Sequence, residues 1–250
     1  MRRHLLLIGI GAGHPDHLTL QAIEAMNRAA VFFIPHKGED KDTLAGLRHA
    51  MLDRHMRRDH RRVAYRVPQR DAGADYAGNV ALWHEAIADR LGTVIARELR
   101  PGETGAFLVW GDPALYDSML RIVERLADRT VLAIDYEVIP GISAVQALTA
   151  AHKVTLNAIG RSVLVSTGRW PDGGFPAQAD SLVLMLNAAA VLRKLDSALD
   201  VYWGANLGLP EEALVRGKLG DVIGEIERAR EATRARRGWV LDTALVKKPG

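Results

Sequence analysis

The chain has 250 residues and no cysteine, which excludes disulfide bonds, thiolate metal ligands and a cysteine nucleophile. Hydrophobic residues make up 48% and charged residues 25%, as in an ordinary globular protein that needs no metal or disulfide cross-links. The formal charge is +3, the pI is about 9.3, and no apolar stretch approaches the roughly 18 residues of a membrane span, so we expect a cytoplasmic protein.

The first half alternates between short apolar strands and amphipathic helices. Residues 5–10, LLLIGI, are followed at once by turn glycines, which favours a buried first strand over a signal peptide. Further strands are predicted at 30–35 and 105–111, and helices at 18–29, 40–62, 79–99 and 114–127. This alternation predicts α/β layers.

The second half has less helix between its strands, which predicts a mixed sheet. Strands are predicted at 130–140, 162–168, 181–187, 200–208 and 239–246, and helices at 142–151, 188–197 and 219–231. The stretch 168–178 is rich in glycine and proline and is predicted to be a loop.

A glycine-rich turn, GIGAGHPD at residues 9–16, follows the first predicted strand. It does not fit the dinucleotide-binding pattern, because His14 stands where a third glycine is required and no ribose-binding acid follows about 20 residues on. The phosphate-binding G-K-[ST] pattern is absent from the sequence as well. What remains is a turn whose backbone can approach a ligand closely, the alternative being a plain strand-to-helix turn.

Two further turns follow predicted strands. In WGDPALY, residues 110–116, glycine and proline hold Asp112 in a tight turn, a pattern that is common by itself. In IPGISA, residues 139–144, a Pro-Gly turn leads directly into a helix, so its first N–H groups and the Ser143 hydroxyl could bind a carboxylate or a ribose. The alternative is that Ser143 only caps the helix.

Basic residues are concentrated in two stretches, 54–70 and 228–237. The first contains seven arginines, including Arg61 and Arg62, with three histidines at 49, 55 and 60 in or beside it. Such clusters suit an acidic partner, either nucleic acid or a small polycarboxylate. The alternative is a solvated helix face.

Taken in order, these motifs resemble the tetrapyrrole (corrin/porphyrin) methylase family, with G-x-G-x-G-x-P, then G-D-P-x-x-Y, then P-G-I-S-A. The later segments SLVLMLN, DVYWGANLG and DTALV are similar to its remaining blocks, so the resemblance covers the whole chain. It implies the class III methyltransferase fold, two α/β domains with an inter-domain cleft. We expect an N-terminal α/β domain at 1–116, on the substrate side, and a C-terminal α/β domain at 117–250 that shares the cofactor cleft.

The resemblance implies a homodimeric, S-adenosylmethionine-dependent methyltransferase that needs no metal and acts on a small tetrapyrrole polycarboxylate. Within the family the sequence is most similar to members that methylate precorrin-5 at C-1 and release its acetyl group as acetate. Alternatives are another tetrapyrrole C-methyltransferase, an RNA ribose methyltransferase of the same superfamily, and a protein that binds S-adenosylmethionine without catalysis. No membrane or nucleic acid partner is expected.

Carried over position by position, the resemblance implies contacts with the cofactor and the substrate. The expected cofactor contacts are Trp110, Gly111, Asp112, Leu115, Ser143, Ala144, Leu186, Ala205 and Ala244. The expected substrate contacts are Gly11, Gly13, His14 and Tyr116, with Arg61 and Arg62 receiving substrate carboxylates.

The first loop departs from the family pattern G-x-G-P-G-D-P. Ala12 replaces the proline, and His14 replaces an aspartate that faces the tetrapyrrole in the family. Because an imidazole titrates near neutral pH, we hypothesise that His14 assists acetate release as a general base, with Asp16 or Asp112 as its helper. The alternative is that His14 only lines the turn.

Overall fold

The computed structural model describes residues 1–36, 43–70, 75–129, 132–170 and 174–249. The chain forms two compact α/β units, which confirms the predicted fold class. The first unit comprises residues 1–11 and 15–142, and the second comprises residues 12–14 and 143–250. Within the described ranges no helix is long and apolar enough to cross a membrane.

The first unit is built around a five-stranded parallel sheet with the strand order β3-β2-β4-β1-β5. Its elements, in chain order, are β1 (Arg3–Gly9), α1 (Leu20–Arg28), β2 (Val31–His36), α2 (Thr43–His55), β3 (Arg61–Arg66), α3 (Tyr76–Glu98), β4 (Thr104–Val109), α4 (Met119–Ala127) and β5 (Ile134–Ile139). A single 3-10 turn, Pro15–His17, precedes α1.

Both faces of this sheet are covered, which explains the continuous apolar run in β1. Leu5 and Leu7 pack with α3 and α4 on one face, whereas Leu6 and Ile8 pack with α1 and α2 on the other. The predicted helix over 79–99 is confirmed as α3, and residues such as Leu91 and Ile95 are buried against the sheet, whereas Leu82 is 72% exposed.

The second unit contains a mixed five-stranded sheet with the strand order β6-β7-β10-β8-β9. Its elements are α5 (Ala144–His152), β6 (Val163–Thr167), β7 (Ser181–Met185), α6 (Ala189–Leu192), β8 (Asp200–Ala205), β9 (Ala213–Lys218), α7 (Leu219–Arg237) and β10 (Asp242–Lys247). Only β6 and β7 pair in parallel, and the other neighbours are antiparallel, so the predicted mixed sheet is confirmed.

The structure differs from the sequence prediction in two strands and one boundary. α2 ends at His55 and the arginine-rich segment that follows forms β3, while residues 40–42 of the predicted helix lie outside the described ranges. β9 was not predicted either. The units divide after Ile142 and not at 116/117, because α4 packs on the first sheet and β5 pairs with β1.

Candidate functional site

The three sequence motifs follow three neighbouring strands of the first sheet. The order β4-β1-β5 places the ends of these strands, Val109, Gly9 and Ile139, side by side. Because all three strands are parallel, the loops that follow them lie at the same carboxyl edge, where α/β sheets bind ligands. The sheet order therefore brings the three motifs together within this unit.

Glycines allow the backbones of these loops to come into direct contact. Gly11 and Gly111 form an isolated bridge, with N···O distances of 3.2 Å and 2.9 Å. A Cβ atom at Gly141 would lie 2.2 Å from the Gly111 carbonyl oxygen, and one at Gly9 would lie 2.6 Å from the Gly141 nitrogen. No side chain fits at Gly9 or Gly141, so backbone packing requires glycine at both positions. At Gly111 the left-handed φ of +67° favours glycine.

Asp112 joins the second loop to the third. Its Oδ1 atom accepts a hydrogen bond from the Ala114 N–H at 2.8 Å, and its Oδ2 atom accepts one from the Gly141 N–H at 2.9 Å. Both oxygens therefore bind backbone donors within the first unit. The carboxylate serves here as a structural clamp, and its role as a catalytic helper or cofactor contact stays a prediction.

The rest of the second loop presents both buried and exposed groups. Trp110 packs against the core beneath α1 and α2, and the half-buried Leu115 donates its backbone N–H to the Asp112 carbonyl. Tyr116 has a left-handed φ of +54°, and 45% of its surface is exposed. Burial of part of the side chain raises the pKa of Tyr116.

Ser143 caps α5, as the simpler of the two sequence interpretations predicted. Its Oγ atom accepts a hydrogen bond from the Val145 N–H at 3.1 Å, and its own N–H donates to Gln146 Oε1 at 3.1 Å. The hydroxyl also donates to Gln146 Oε1. The side chain is 4% exposed, so its contact with a cofactor stays a prediction, as does that of Ala144, the first residue of the helix.

The first loop carries His14 on a glycine turn. Gly11 has a φ of +81°, and Gly13 has a φ of +151°, where a Cβ would lie 2.7 Å from the Leu207 carbonyl oxygen. His14 itself is exposed. The Asp16 carboxylate forms an ion pair with Arg54 of α2 at 2.7 Å, which ties this acid to a helix of the first unit. The catalytic roles of His14 and Asp16 stay predictions.

In the second unit, Leu186 is the predicted cofactor residue that is most accessible. It follows β7 with a φ of +57°, and 45% of its surface is exposed. By contrast, Ala205 at the end of β8 and Ala244 in β10 are fully buried. Their small side chains therefore fill the sheet core, and any contact with a cofactor would have to use their backbone.

Sequence reasoning missed Asp242, which fixes the turn that carries Leu186. The Asp242 carbonyl accepts the Leu186 N–H at 3.1 Å, and its Oδ1 atom accepts the Asn187 N–H at 2.8 Å. The carboxylate is fully buried 3.5 Å from Arg230 Nε, and Arg230 Nη2 donates to Asn187 Oδ1 at 2.8 Å. Asp242 begins the DTALV segment of the sequence. Its role in holding the turn at Leu186 becomes visible only from the pairing of β10 with β7.

Arg61 and Arg62 are not brought together with the three loops. They begin β3, so they lie at the amino edge of the parallel sheet, opposite the carboxyl ends. Arg61 pairs with Glu103 at 2.9 Å, and Arg62 pairs with Asp53 at 2.5 Å. Their predicted role as substrate ligands therefore lacks support from this placement and stays a prediction.

Comparison with known proteins gives concordant matches over nearly the whole chain. A family profile described as Tetrapyrrole (Corrin/Porphyrin) Methylases matches residues 4–223. The chain is 43% identical over 249 residues to a precorrin-6A synthase (deacetylating) of Sinorhizobium sp, covering 98% of this chain and 95% of that protein.

Solved structures give the same picture. A cobalamin-synthesis-related protein (CobF) from Corynebacterium diphtheriae is 32% identical, with a TM-score of 0.82 and 99% of each chain covered. A uroporphyrin-III C-methyltransferase from Thermus thermophilus, complexed with S-adenosylhomocysteine, has a TM-score of 0.59 over 98% of this chain and 92% of that one. At 17% identity it shows a shared fold only, and the predicted fold is thereby confirmed.

Proposed function

Because the chain belongs to the tetrapyrrole (corrin/porphyrin) methylases, we propose that it methylates precorrin-5 at C-1 and releases the acetyl group as acetate, giving precorrin-6A. The observation that carries this proposal is the 43% identity to a deacetylating precorrin-6A synthase over 98% of this chain. The glycine contacts that join the three motif loops support it, because they maintain the backbone approach that the family motifs encode.

The residues present suit S-adenosylmethionine as the methyl donor. In the first unit, backbone contacts among Gly9, Gly111 and Gly141 hold the motif loops together at the carboxyl edge of the parallel sheet, where α/β proteins bind ligands. In the second unit, the exposed Leu186 offers an apolar surface on a turn fixed by Asp242. We propose that these loops hold the donor, which supplies a methyl group on a sulfonium that needs little further activation.

The protein's part in methyl transfer is to position the substrate carbon and to exclude water. Alignment of two reactants can contribute on the order of 7–11 kcal/mol to lowering the barrier. The methyl group moves from sulfur to C-1, and that carbon supplies the electron pair of the new bond. No general base is required to activate the donor for this step.

Acetate release is the step that needs proton transfer. Water adds to the acetyl carbonyl, the bond from that carbon to the ring breaks, and the ring carbon takes up a proton as acetate leaves. We propose that His14, an exposed residue of the first loop, accepts the proton from water. Its replacement of the family's aspartate places an imidazole, a common general base in enzymes, at this position.

The test is a single incubation of the protein with methyl-labelled S-adenosylmethionine and precorrin-5, followed by mass spectrometry of the tetrapyrrole and of acetate. We expect one labelled methyl group on the tetrapyrrole for each acetate released, and neither product with heat-denatured protein. Cofactor binding without transfer to precorrin-5 would contradict the proposal. Label on another corrin precursor or on added RNA would identify the alternative substrate.

We further propose that the protein is a cytoplasmic homodimer, as the family resemblance implies. Light scattering coupled to gel filtration measures the assembly directly. A mass near twice the 27.4 kDa chain supports the dimer, whereas a mass near that of the single chain excludes it.

A further inference from the structure

A cavity of about 610 Å³ opens at the carboxyl end of β3, within the first unit. Three arginines, Arg66, Arg70 and Arg90, line it together with the indole of Trp83. None of its lining residues is among the cofactor or substrate contacts that the family motifs predict. We call it the arginine pocket.

The guanidinium groups of Arg70 and Arg90 contact neutral groups. Arg90 Nη1 donates to the Arg66 carbonyl oxygen at 3.3 Å, and Arg70 Nη1 donates to the Tyr76 hydroxyl at 3.3 Å. The Arg70 guanidinium also lies 5.1 Å from the centroid of the Tyr76 ring. Across the described ranges, none of the three arginines has a carboxylate partner at ion-pair distance.

The two ends of β3 therefore differ in charge balance. At the amino end, Arg61 and Arg62 are each paired with an acid. At the carboxyl end, the nearby Asp75 is occupied in capping α3, where its Oδ1 atom accepts the Gly78 N–H at 2.9 Å. Among the described residues, the positive charges around this cavity have no carboxylate at ion-pair distance. Such a cluster attracts an anion, and guanidinium groups match a carboxylate in geometry.

The pocket has a firm wall on one side. Trp83 Nε1 donates to the Pro68 carbonyl oxygen at 2.8 Å, which ties the segment after β3 to the long helix α3. The half-buried indole supplies apolar surface beside the cationic groups. This combination suits a ligand that has both an apolar ring and carboxylate arms.

The pocket shares the carboxyl edge of the sheet with the motif loops. β3 lies two positions from β4 and three from β1, which corresponds to about 10 Å and about 14 Å at the usual strand spacing. A tetrapyrrole is broad enough to cover such a separation while its side chains point outward. We infer that the arginine pocket binds peripheral carboxylates of the tetrapyrrole substrate, an inference that rests on the proposed function.

The experiment measures binding without turnover. Uroporphyrin, an oxidised tetrapyrrole polycarboxylate that accepts no methyl group, is titrated against wild type, Arg70→Glu and Arg90→Glu, and calorimetry gives each Kd. We expect each reversal to weaken uroporphyrin binding about tenfold, the effect of losing one charge-assisted hydrogen bond. The Kd for S-adenosylmethionine and the Tm should stay at their wild-type values.

Arg58→Glu is the matched control, because Arg58 is an exposed arginine near the amino end of the same strand. It makes the same change in net charge and should leave the uroporphyrin Kd unchanged. Equal weakening by Arg58→Glu, or no weakening by Arg70→Glu and Arg90→Glu, would overturn the inference. Arg90→Gln should give an intermediate Kd, because it removes the charge without reversing it.

Failure of the inference and failure of the proposed function can be told apart. If wild type methylates precorrin-5 and the Arg70→Glu and Arg90→Glu variants keep its KM for that substrate, the pocket is not a carboxylate site and the function stands. If wild type does not methylate precorrin-5 but these variants still lose uroporphyrin affinity, the pocket stands and the function is wrong.

Discussion

Two carboxylates near the predicted cofactor residues bind backbone N–H groups and hold loops in place. Asp112 clamps the second motif loop to the third, and Asp242 fixes the turn at Leu186 in the second unit. A carboxylate that accepts two N–H donors is difficult to replace, because removing it leaves those donors unsatisfied. At the scale of single residues, loop shape thus depends on acids that need not touch any ligand.

Asp112→Asn should weaken cofactor binding and lower stability. One amide oxygen can replace one acceptor, but the amide NH₂ would then face the other backbone N–H, at a cost of about 1–3 kcal/mol. Chemical denaturation and titration with S-adenosylmethionine measure the two effects, and Asp59→Asn, at an exposed loop position, is the control. An unchanged Kd with a shifted pH profile of turnover would point instead to proton transfer by Asp112.

His14→Asn should reduce acetate release more than cofactor binding. The substitution keeps an exposed polar side chain at the same position but removes the imidazole that would accept the proton. General-base assistance contributes typically about 10²–10⁴-fold, so the rate of acetate formation should fall by a factor in that range. Wild-type turnover in the variant would show that His14 only lines the loop.

At the scale of loops and helices, the junction of Gly9, Gly111 and Gly141 links three loops of the first unit through main-chain contacts. A side chain at Gly9 or Gly141 would have to displace backbone, which is much stiffer than another side chain. The three loops therefore form one mechanical unit, and a change in one of them shifts the others.

Gly141→Ala should destabilise the first unit and reduce cofactor affinity, since its Cβ would lie 2.2 Å from a carbonyl oxygen. Gly46→Ala is the matched control, because nothing lies within 4 Å of a Cβ at that position in α2. A glycine-to-alanine change inside a helix should stabilise by about 0.5–1 kcal/mol. Thermal melts should move in opposite directions, and equal shifts would contradict the packing explanation.

A buried cluster beneath these loops links α2 to the start of α4. Arg48 Nε donates to the Leu108 carbonyl at 2.9 Å, and Asp117 Oδ1 accepts the Met119 N–H at 2.6 Å. Burial raises the pKa of Asp117, and the nearby Arg48 guanidinium only partly opposes this shift. The folded protein consequently binds the Asp117 proton more tightly than the unfolded chain does.

Asp117→Asn should therefore stabilise the protein more at pH 8 than at pH 4. In wild type the contribution of Asp117 is fully present at low pH, and it is lost as the pH rises through the raised pKa. The substituted amide does not ionise and retains an oxygen for the Met119 N–H. Asp53→Asn is the opposite case, because the hydrogen bond from Arg62 lowers the pKa of Asp53. The substitution should destabilise the protein above the ordinary carboxyl pKa, and this effect should be lost as the pH falls through the lowered pKa. Urea denaturation from pH 8 to below pH 4 measures both effects.

At the scale of the whole molecule, strands with continuous apolar runs were predictable, whereas two of the four edge strands, β3 and β9, were not. β1 and β4 are continuous apolar runs, whereas β3 buries only Tyr65 and β9 only Val215. On these two strands most side chains face solvent, so the sequence lacks the alternation of apolar and polar residues that identifies a strand. The domain boundary was misplaced for a related reason, since only pairing with β1 assigns β5 to the first unit.

Part of the candidate site was likewise predictable from the sequence, and part was not. The glycine motifs were predictable because close backbone approach limits these positions to one residue type. The arginine pocket and the buried Asp242 were not, because each depends on segments that are distant in sequence and adjacent only through strand order or helix packing. Arg66 and Arg70 were visible as part of a basic stretch, but not their separation from Arg61 and Arg62.

The place of β10 in the second sheet has a consequence for synthesis on the ribosome. The sheet of the first unit can be completed once Ile139 has emerged, since all its strands precede that residue. The second sheet then consists of two separate pairs, β6 with β7 and β8 with β9, until residues 242–247 arrive between them. A nascent chain halted at residue 238 should therefore resist proteolysis in its first unit and be cleaved readily between the two pairs.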